Sequence, residues 1–243
     1  PEGAPARFRR VGELEVSSYA AWSDVSQLMA PHFARAAALK PGSAVKAEAA
    51  KIAAATKDPK ARAFAALMLV EDQTRYLFLG MGEGGYVPAT ADETWERRFG
   101  DCKAKTVLLL ALLNELGVKA EPALVSLGGG DGMDERLPSL SAFNHVLVRA
   151  TVGGKTYWLD GTRSGDRGGL DAIRQPNWRW ALPLRVEGAE LERVTEPPLD
   201  RPQMVASVHL DASQGLDVAA PATIKMRLEG DAANVLWSFD IGA

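Results

Sequence analysis

Between Cys102 and Leu116 the chain carries Val107, Leu108, Leu109, Leu110, Leu112, Leu113 and Leu116. Leucines so closely spaced fall on all sides of a 3.6-residue helix, so this helix is predicted to be buried on most faces. Other elements must cover it, which puts it at the centre of a core. Gly117 is the expected C-terminal stop. Val107–Leu113, the longest dense apolar run, is about a third of the roughly 20 residues that a membrane-spanning helix needs. The 243 residues, 47% hydrophobic and 24% charged, have the composition of an ordinary globular domain and the length to bury a large core.

A net charge of −3 gives no global basic field to hold nucleic acid. One cysteine excludes an internal disulfide and leaves the redox compartment open. The histidines and the cysteine lie far apart, without metal-finger spacing. The chain opens at Pro1 with no charged-then-apolar leader. It is therefore expected to be a piece of a longer protein from which any export signal has been removed.

Along the chain, 1–16 alternates at Phe8, Val11, Leu14 and Val16 and reads as the last strand of an upstream β-rich module. Ser17 and Ser18 precede a helical pattern, Trp22, Val25, Met29 and Phe33, in which Pro31 predicts a kink or a break. Ser43–Thr56 is alanine-rich and helical. Asp58-Pro59 opens a further helix to about Thr74, with aspartate as cap and proline in the first turn. Gly80–Gly85 lacks the Gly-Lys-Ser/Thr ending of a phosphate loop and reads as a turn. A strand is expected near 119–127, a loop over 128–138, then strands 143–151 and 155–160 joined by the hairpin signal Gly153-Gly154. Residues 164–180 read as loop and 196–202 as a linker. The stretch 203–243 alternates as the start of a C-terminal β-rich module. The domains are thus 1–16, a core over 17–196, and 203–243.

Cys102 sits in Phe99-Gly100-Asp101-Cys102-Lys103, where a loop becomes the buried helix. Unpaired N–H groups and the macrodipole at a helix N-terminus favour an anion. Thiols in that setting titrate well below the roughly 8.5 of a free cysteine. Lys103 and Lys105 add positive charge, Gly100 permits a tight approach, and the Cys102 N–H is a candidate oxyanion donor. His145, in Phe143-Asn144-His145-Val146, has a partner that the hairpin predicts. A two-residue loop pairs Val152 with Lys155, which puts His145 opposite Thr162 and Leu147 opposite Asp160. His145 and Asp160 then become diagonal neighbours on one face, within reach of a hydrogen bond. A one-residue slip would separate them. Thiol, imidazole and carboxylate in the order Cys102, His145, Asp160 are the parts of a nucleophilic acyl-transfer site. Taken singly, a buried core cysteine, a sheet-surface histidine and a turn aspartate explain the same residues.

The runs Arg97-Arg98-Phe99-Gly100-Asp101-Cys102-Lys103, Leu116-Gly117-Val118-Lys119-Ala120, Phe143-Asn144-His145-Val146 and Tyr157-Trp158-Leu159-Asp160-Gly161-Thr162 resemble the transglutaminase-like superfamily. The bacterial branch, in which the core sits between β-rich modules, is the nearest. The resemblance covers roughly 20–190, and the order and spacing of the three residues carry it. It implies an α+β, papain-like fold: helices with the nucleophile on a central helix, packed on an antiparallel sheet that supplies histidine and aspartate. Cys102, His145 and Asp160 take the triad roles by motif. Many relatives have an acidic residue at the position of Ala104 and a proline at that of Gly161; the glycine is expected to loosen the strand end holding Asp160. Gln73 is the candidate second oxyanion donor, with Tyr76 and Trp95 as alternatives. Trp158, Trp178 and Trp180 either wall a substrate groove or pack in the core.

Two functions follow from different classes. One is a thiol enzyme acting on amides, a peptidase or amidase with water as acceptor and a transglutaminase with an amine. The other is a non-catalytic module that keeps the fold and binds peptide or protein. Protein or peptide is the expected substrate, with no nucleic acid partner and no cofactor. Crosslinking relatives often use calcium, but Asp131, Asp134 and Glu135 are too sparse for a calcium loop. The resemblance implies a periplasmic or extracellular location.

Overall fold

The computed structural model describes residues 3–5, 8, 14–78, 85–128, 130–195, 199, 201–215, 217–230 and 232–233. The helices are α1 (Trp22–Ala37), α2 (Ala44–Ala55), α3 (Pro59–Gln73), α4 (Ala91–Arg97) and α5 (Cys102–Glu115). The strands are β1 (Arg75–Tyr76), β2 (Phe99–Gly100), β3 (Lys119–Val125), β4 (His145–Val152), β5 (Lys155–Leu159), β6 (Trp180–Pro183), β7 (Glu192–Arg193), β8 (Met204–Leu210) and β9 (Ala222–Leu228). Contacts divide the chain into two compact units, Pro1–Glu196 and Pro197–Ala243.

Local chemistry opens the helices. The Ser43 hydroxyl accepts from the Val45 N–H at 3.1 Å, and the Asp58 carboxylate accepts from the N–H groups of Lys60 and Ala61 at 3.2 and 3.1 Å. At α1 the cap is not Ser17 or Ser18: the Asp24 carboxylate reaches back to the N–H groups of Ala20 and Ala21. Pro31 does not end α1, which runs through it as one helix. Pro31 and Gln27, whose carbonyl loses its partner there, are both exposed, so that carbonyl is open to solvent. α4 was not anticipated. Thr90 and Glu93 cap its N-terminus reciprocally, and Arg98 ends it in the left-handed region at φ 61°.

α5 occupies the centre. It packs against α1, α2, α3 and α4 on one side and against β3 and β4 on the other. Val107, Leu108, Leu109, Leu112 and Leu113 are fully buried, as leucines on every side of a helix require. The sheet beneath is five-stranded and antiparallel, in the order β5-β4-β3-β6-β7. Its helix-facing side contributes Leu124, Val146, Val148, Ala150 and Leu159 to the main core. Its other side carries a smaller cluster of Ala123, Val125, Leu147, Trp178, Ala181 and Val194. Gly153 and Gly154, at φ 60° and 80°, make the primed turn between β4 and β5, and Val152 pairs with Lys155. The 128–138 segment, expected as plain loop, contains a 3-10 turn at Met133–Glu135 that buries Met133.

In the second unit β8 and β9 form an antiparallel hairpin, Met204 opposite Leu228, exposed along nearly its whole length. Most of the strand expected over 1–16, the glycines before Gly85, and much of the expected linker lie outside the described residues. Residues 14–17 are irregular. Among the described residues no helix is long and apolar enough to cross a membrane.

Candidate active site

Asp101 caps α5, its carboxylate accepting from the Ala104 N–H at 3.1 Å. That fixes Cys102 as the first residue of the helix, where its own N–H has no partner within the helix. β2 must pass close above this turn, because β1 pairs with it in parallel, Tyr76 opposite Gly100. A Cβ on Gly100 would lie 2.6 Å from Ala104 Cβ and 3.3 Å from Thr94 Cγ2. Glycine at 100 and a small residue at 104 are therefore one steric solution to bringing a strand over the nucleophile.

His145 is the first residue of β4, and Asp160 follows directly after β5. The ladder between these strands ends at Val148 opposite Leu159, so both side chains lie just beyond the last pair. Strict alternation would aim them to the side of Leu147 and Trp158, away from α5. At the strand ends His145 instead lines a cavity with Cys102, and Asp160 bonds His145. His145 Nε2 lies 2.8 Å from Asp160 Oδ2, with both residues buried. Cys102 acts on the same ring, which its side chain helps to hold charged, and the two residues line one cavity. The Thr106 hydroxyl, one turn below Cys102, donates to the Val146 carbonyl at 3.0 Å and ties the nucleophile's helix to the base's strand. The Asn144 N–H bonds the Val125 carbonyl at 3.2 Å and anchors the residue before His145.

The second Asp160 oxygen, Oδ1, accepts from the Thr162 N–H at 2.9 Å and hydroxyl at 2.7 Å. Gly161 does not loosen this end. It is buried, and a Cβ there would touch Val70 Cγ1 at 3.0 Å, so the turn is seated against α3. Burial alone would raise the Asp160 pKa, but bonds from His145 and Thr162 outweigh it and hold the carboxyl below its usual range. Burial opposes the charged form of His145 too. Asp160 first and Cys102 second reverse that and raise its pKa to about 10. The ring is therefore an imidazolium through neutral pH.

The lysines behave differently from the sequence expectation. Lys103 is ion-paired with Asp101. Lys105 is buried at 2% exposure, donates to the Thr74 carbonyl at 2.7 Å, and has its pKa lowered by burial against the pull of Glu71 and Asp160. Glu71, buried nearby, is raised to about 8 by desolvation and by Asp166. A lysine inside a leucine-rich helix was the available signal for this buried charge.

A cavity of about 280 Å³ opens at Cys102 and His145, with Phe33, Phe143 and Tyr86 among its walls. Gln73 does not line it. That residue is exposed at the end of α3, beside a second cavity of about 630 Å³ that also borders Tyr76, Lys105 and Thr162. Trp95 is buried under the Arg98 guanidinium, 3.5 Å from its ring centre. Trp178 packs in the smaller core cluster with Trp158 against it, and Trp180 packs on the main core. None of the three lines the Cys102 cavity. Among the described residues no group of three or more histidine, cysteine or acidic side chains is placed to hold a metal ion.

No family model and no curated protein matches the sequence. Solved structures do resemble the fold. A "putative protease" from Parabacteroides distasonis aligns at 17% identity with a TM-score of 0.56, over 82% of this chain and 39% of that one. A "putative cysteine protease" from Cytophaga hutchinsonii aligns at 15% identity with a TM-score of 0.40, over 76% and 49%. A protein named only as a TGase aligns at 16% identity with a TM-score of 0.38, over 51% and 34%. The first of these carries the likeness, and it is a likeness of fold alone: α+β, with helices packed on an antiparallel sheet. The chain spans 39% of that structure's length.

Proposed function

We propose that the chain is a thiol acyl-transfer catalyst acting on amide bonds through Cys102, His145 and Asp160. The 2.8 Å contact of His145 Nε2 with Asp160 Oδ2, with Cys102 and His145 lining one cavity, is the observation that carries this reading. The Cys102 thiolate attacks the carbonyl carbon, and the carbonyl electron pair moves to oxygen. The Cys102 N–H, which has no partner inside the helix, donates to that oxyanion. The His145 imidazolium gives its proton to the departing amine as the tetrahedral intermediate collapses to a thioester. Neutral imidazole then deprotonates water or a second amine, which attacks the thioester and releases Cys102. Asp160 keeps the ring oriented and its charge balanced throughout. Water as acceptor makes the catalyst a peptidase or amidase; an amine makes it a transglutaminase. A protein or peptide substrate and an exported setting, periplasmic or extracellular, are part of the proposal and rest on the sequence resemblance.

Intact-protein mass spectrometry after exposure to a peptide library, quenched in acid, tests the reading. The expected result is an acyl adduct on Cys102 that disappears on standing and disappears faster with added amine if an amine is the acceptor. Folded protein that forms no adduct with any peptide contradicts it.

A further inference from the structure

The cavity beside Cys102 and His145 is built largely from apolar groups. Met29 and Phe33 of α1, Leu124 of β3, Val146 of β4, and Leu140 and Phe143 before β4 form its wall. Met29, Phe33, Leu124 and Val146 are buried and belong to the main core, so this wall is set by packing. Tyr86 and Phe78 add two aromatic rings that are more than half exposed. Of the polar side chains in the lining, Lys103 is paired with Asp101, and the Asn144 carboxamide oxygen accepts from the Leu127 N–H at 2.8 Å. A volume of about 280 Å³ is at or just below the lower end of the roughly 300–1,000 Å³ typical of small-ligand sites. It has room for one large side chain.

We propose that this cavity selects the acyl donor by taking the side chain of the residue whose carbonyl is attacked, and that this side chain is apolar, either aromatic or branched aliphatic. The inference rests on the acyl-transfer reading and narrows it. An apolar side chain gains by leaving water. A carboxylate, an ammonium or a glutamine carboxamide entering the same space is desolvated against a wall that is largely apolar. The favoured donor is then a main-chain amide beside an apolar residue, in preference to the side-chain amide of glutamine.

The test is the second-order rate at which N-acetyl amino-acid chloromethyl ketones alkylate Cys102 in the full chain, compared across phenylalanine, leucine, glycine, glutamine and aspartate. The sulfur displaces chloride from each probe, so the ratio of rates cancels the strength of the nucleophile. Phenylalanine and leucine probes are expected to react about 10- to 100-fold faster than glutamine and aspartate probes. In Leu140→Asp the ratio of phenylalanine to glutamine should fall to within about threefold of one, since a charge then stands in the wall. Leu140 is half-exposed in a 3-10 turn; should that variant fail to fold, the ratio in the parent decides alone. A rapid glycine probe with equal phenylalanine and aspartate rates overturns the pocket and leaves the acyl-transfer reading standing. Cys102 inert to every probe overturns both.

Discussion

Cys102→Ala is expected to lose acyl transfer by a factor on the order of 10⁴ or more while melting within a few degrees of the parent. The catalytic loss follows because no other thiol exists in the chain to form the covalent intermediate. The small structural cost follows from position. The substitution removes one sulfur atom at the edge of a cavity, where Cys102 is 9% exposed, and alanine is a good residue for a helix interior. About 1 kcal/mol of destabilisation is the scale for so small a deletion. Turnover of a peptide that the parent acylates, together with a thermal melt, reads both quantities. A variant that unfolds would show that Cys102 is chiefly a packing residue, and retained turnover would show that the nucleophile lies elsewhere.

Asp160→Asn is the second large effect, with a loss on the order of 10²- to 10⁴-fold. Asparagine fits the space and can keep the Thr162 bonds, but it carries no charge to balance His145 and can present an N–H where the ring needs an acceptor. The His145 pKa of about 10 should fall towards the ordinary value near 6.5. In the parent the imidazolium is held above its unfolded pKa. Its contribution to stability is therefore complete below about 6.5 and is lost as pH rises through about 10. In the variant that loss shifts to lower pH, so the two proteins diverge most in both activity and denaturant midpoint between neutral pH and pH 9. NMR titration of the His145 ring with urea melts at pH 6 and pH 9 measures both. Parent-like activity in Asp160→Asn would mean that another group orients the ring.

The parts of this site that local rules govern were legible in the sequence. The two glycines mark the turn at 153–154, and the turn sets the register that brings His145 and Asp160 to neighbouring strand ends; the ladder stops at Val148 opposite Leu159, so the expected pairs His145–Thr162 and Leu147–Asp160 do not form. Asp58-Pro59 opened α3, and the leucines of α5 required burial on all sides. What escaped depended on distant partners or on solvent. β6 joins β3 across more than fifty residues and is only Trp180–Pro183, too short to announce itself by alternation. Thr90 and Glu93, three positions apart, carry the capping signal of α4. Pro31 predicts a kink or break by rule, but it is exposed and α1 runs through it. Gln73 precedes Cys102 in the chain, as a second oxyanion donor was expected to, yet it sits at the end of α3 on a different cavity; order along the chain does not carry the direction of a helix end. The sequence offers Lys105 as a charge near the thiol, whereas the packing buries it, as it buries Glu71. The apolar cavity draws its walls from α1, β3 and β4, and no single segment announces it.

The central claim is that imidazole and thiol act as one unit, and the rate of Cys102 carboxamidomethylation by iodoacetamide at pH 6 tests it most directly. The account predicts that Cys102 reacts much faster than a free thiol at that pH and that His145→Ala removes most of the difference. A rate no greater than a free thiol's, unchanged by His145→Ala, would contradict it.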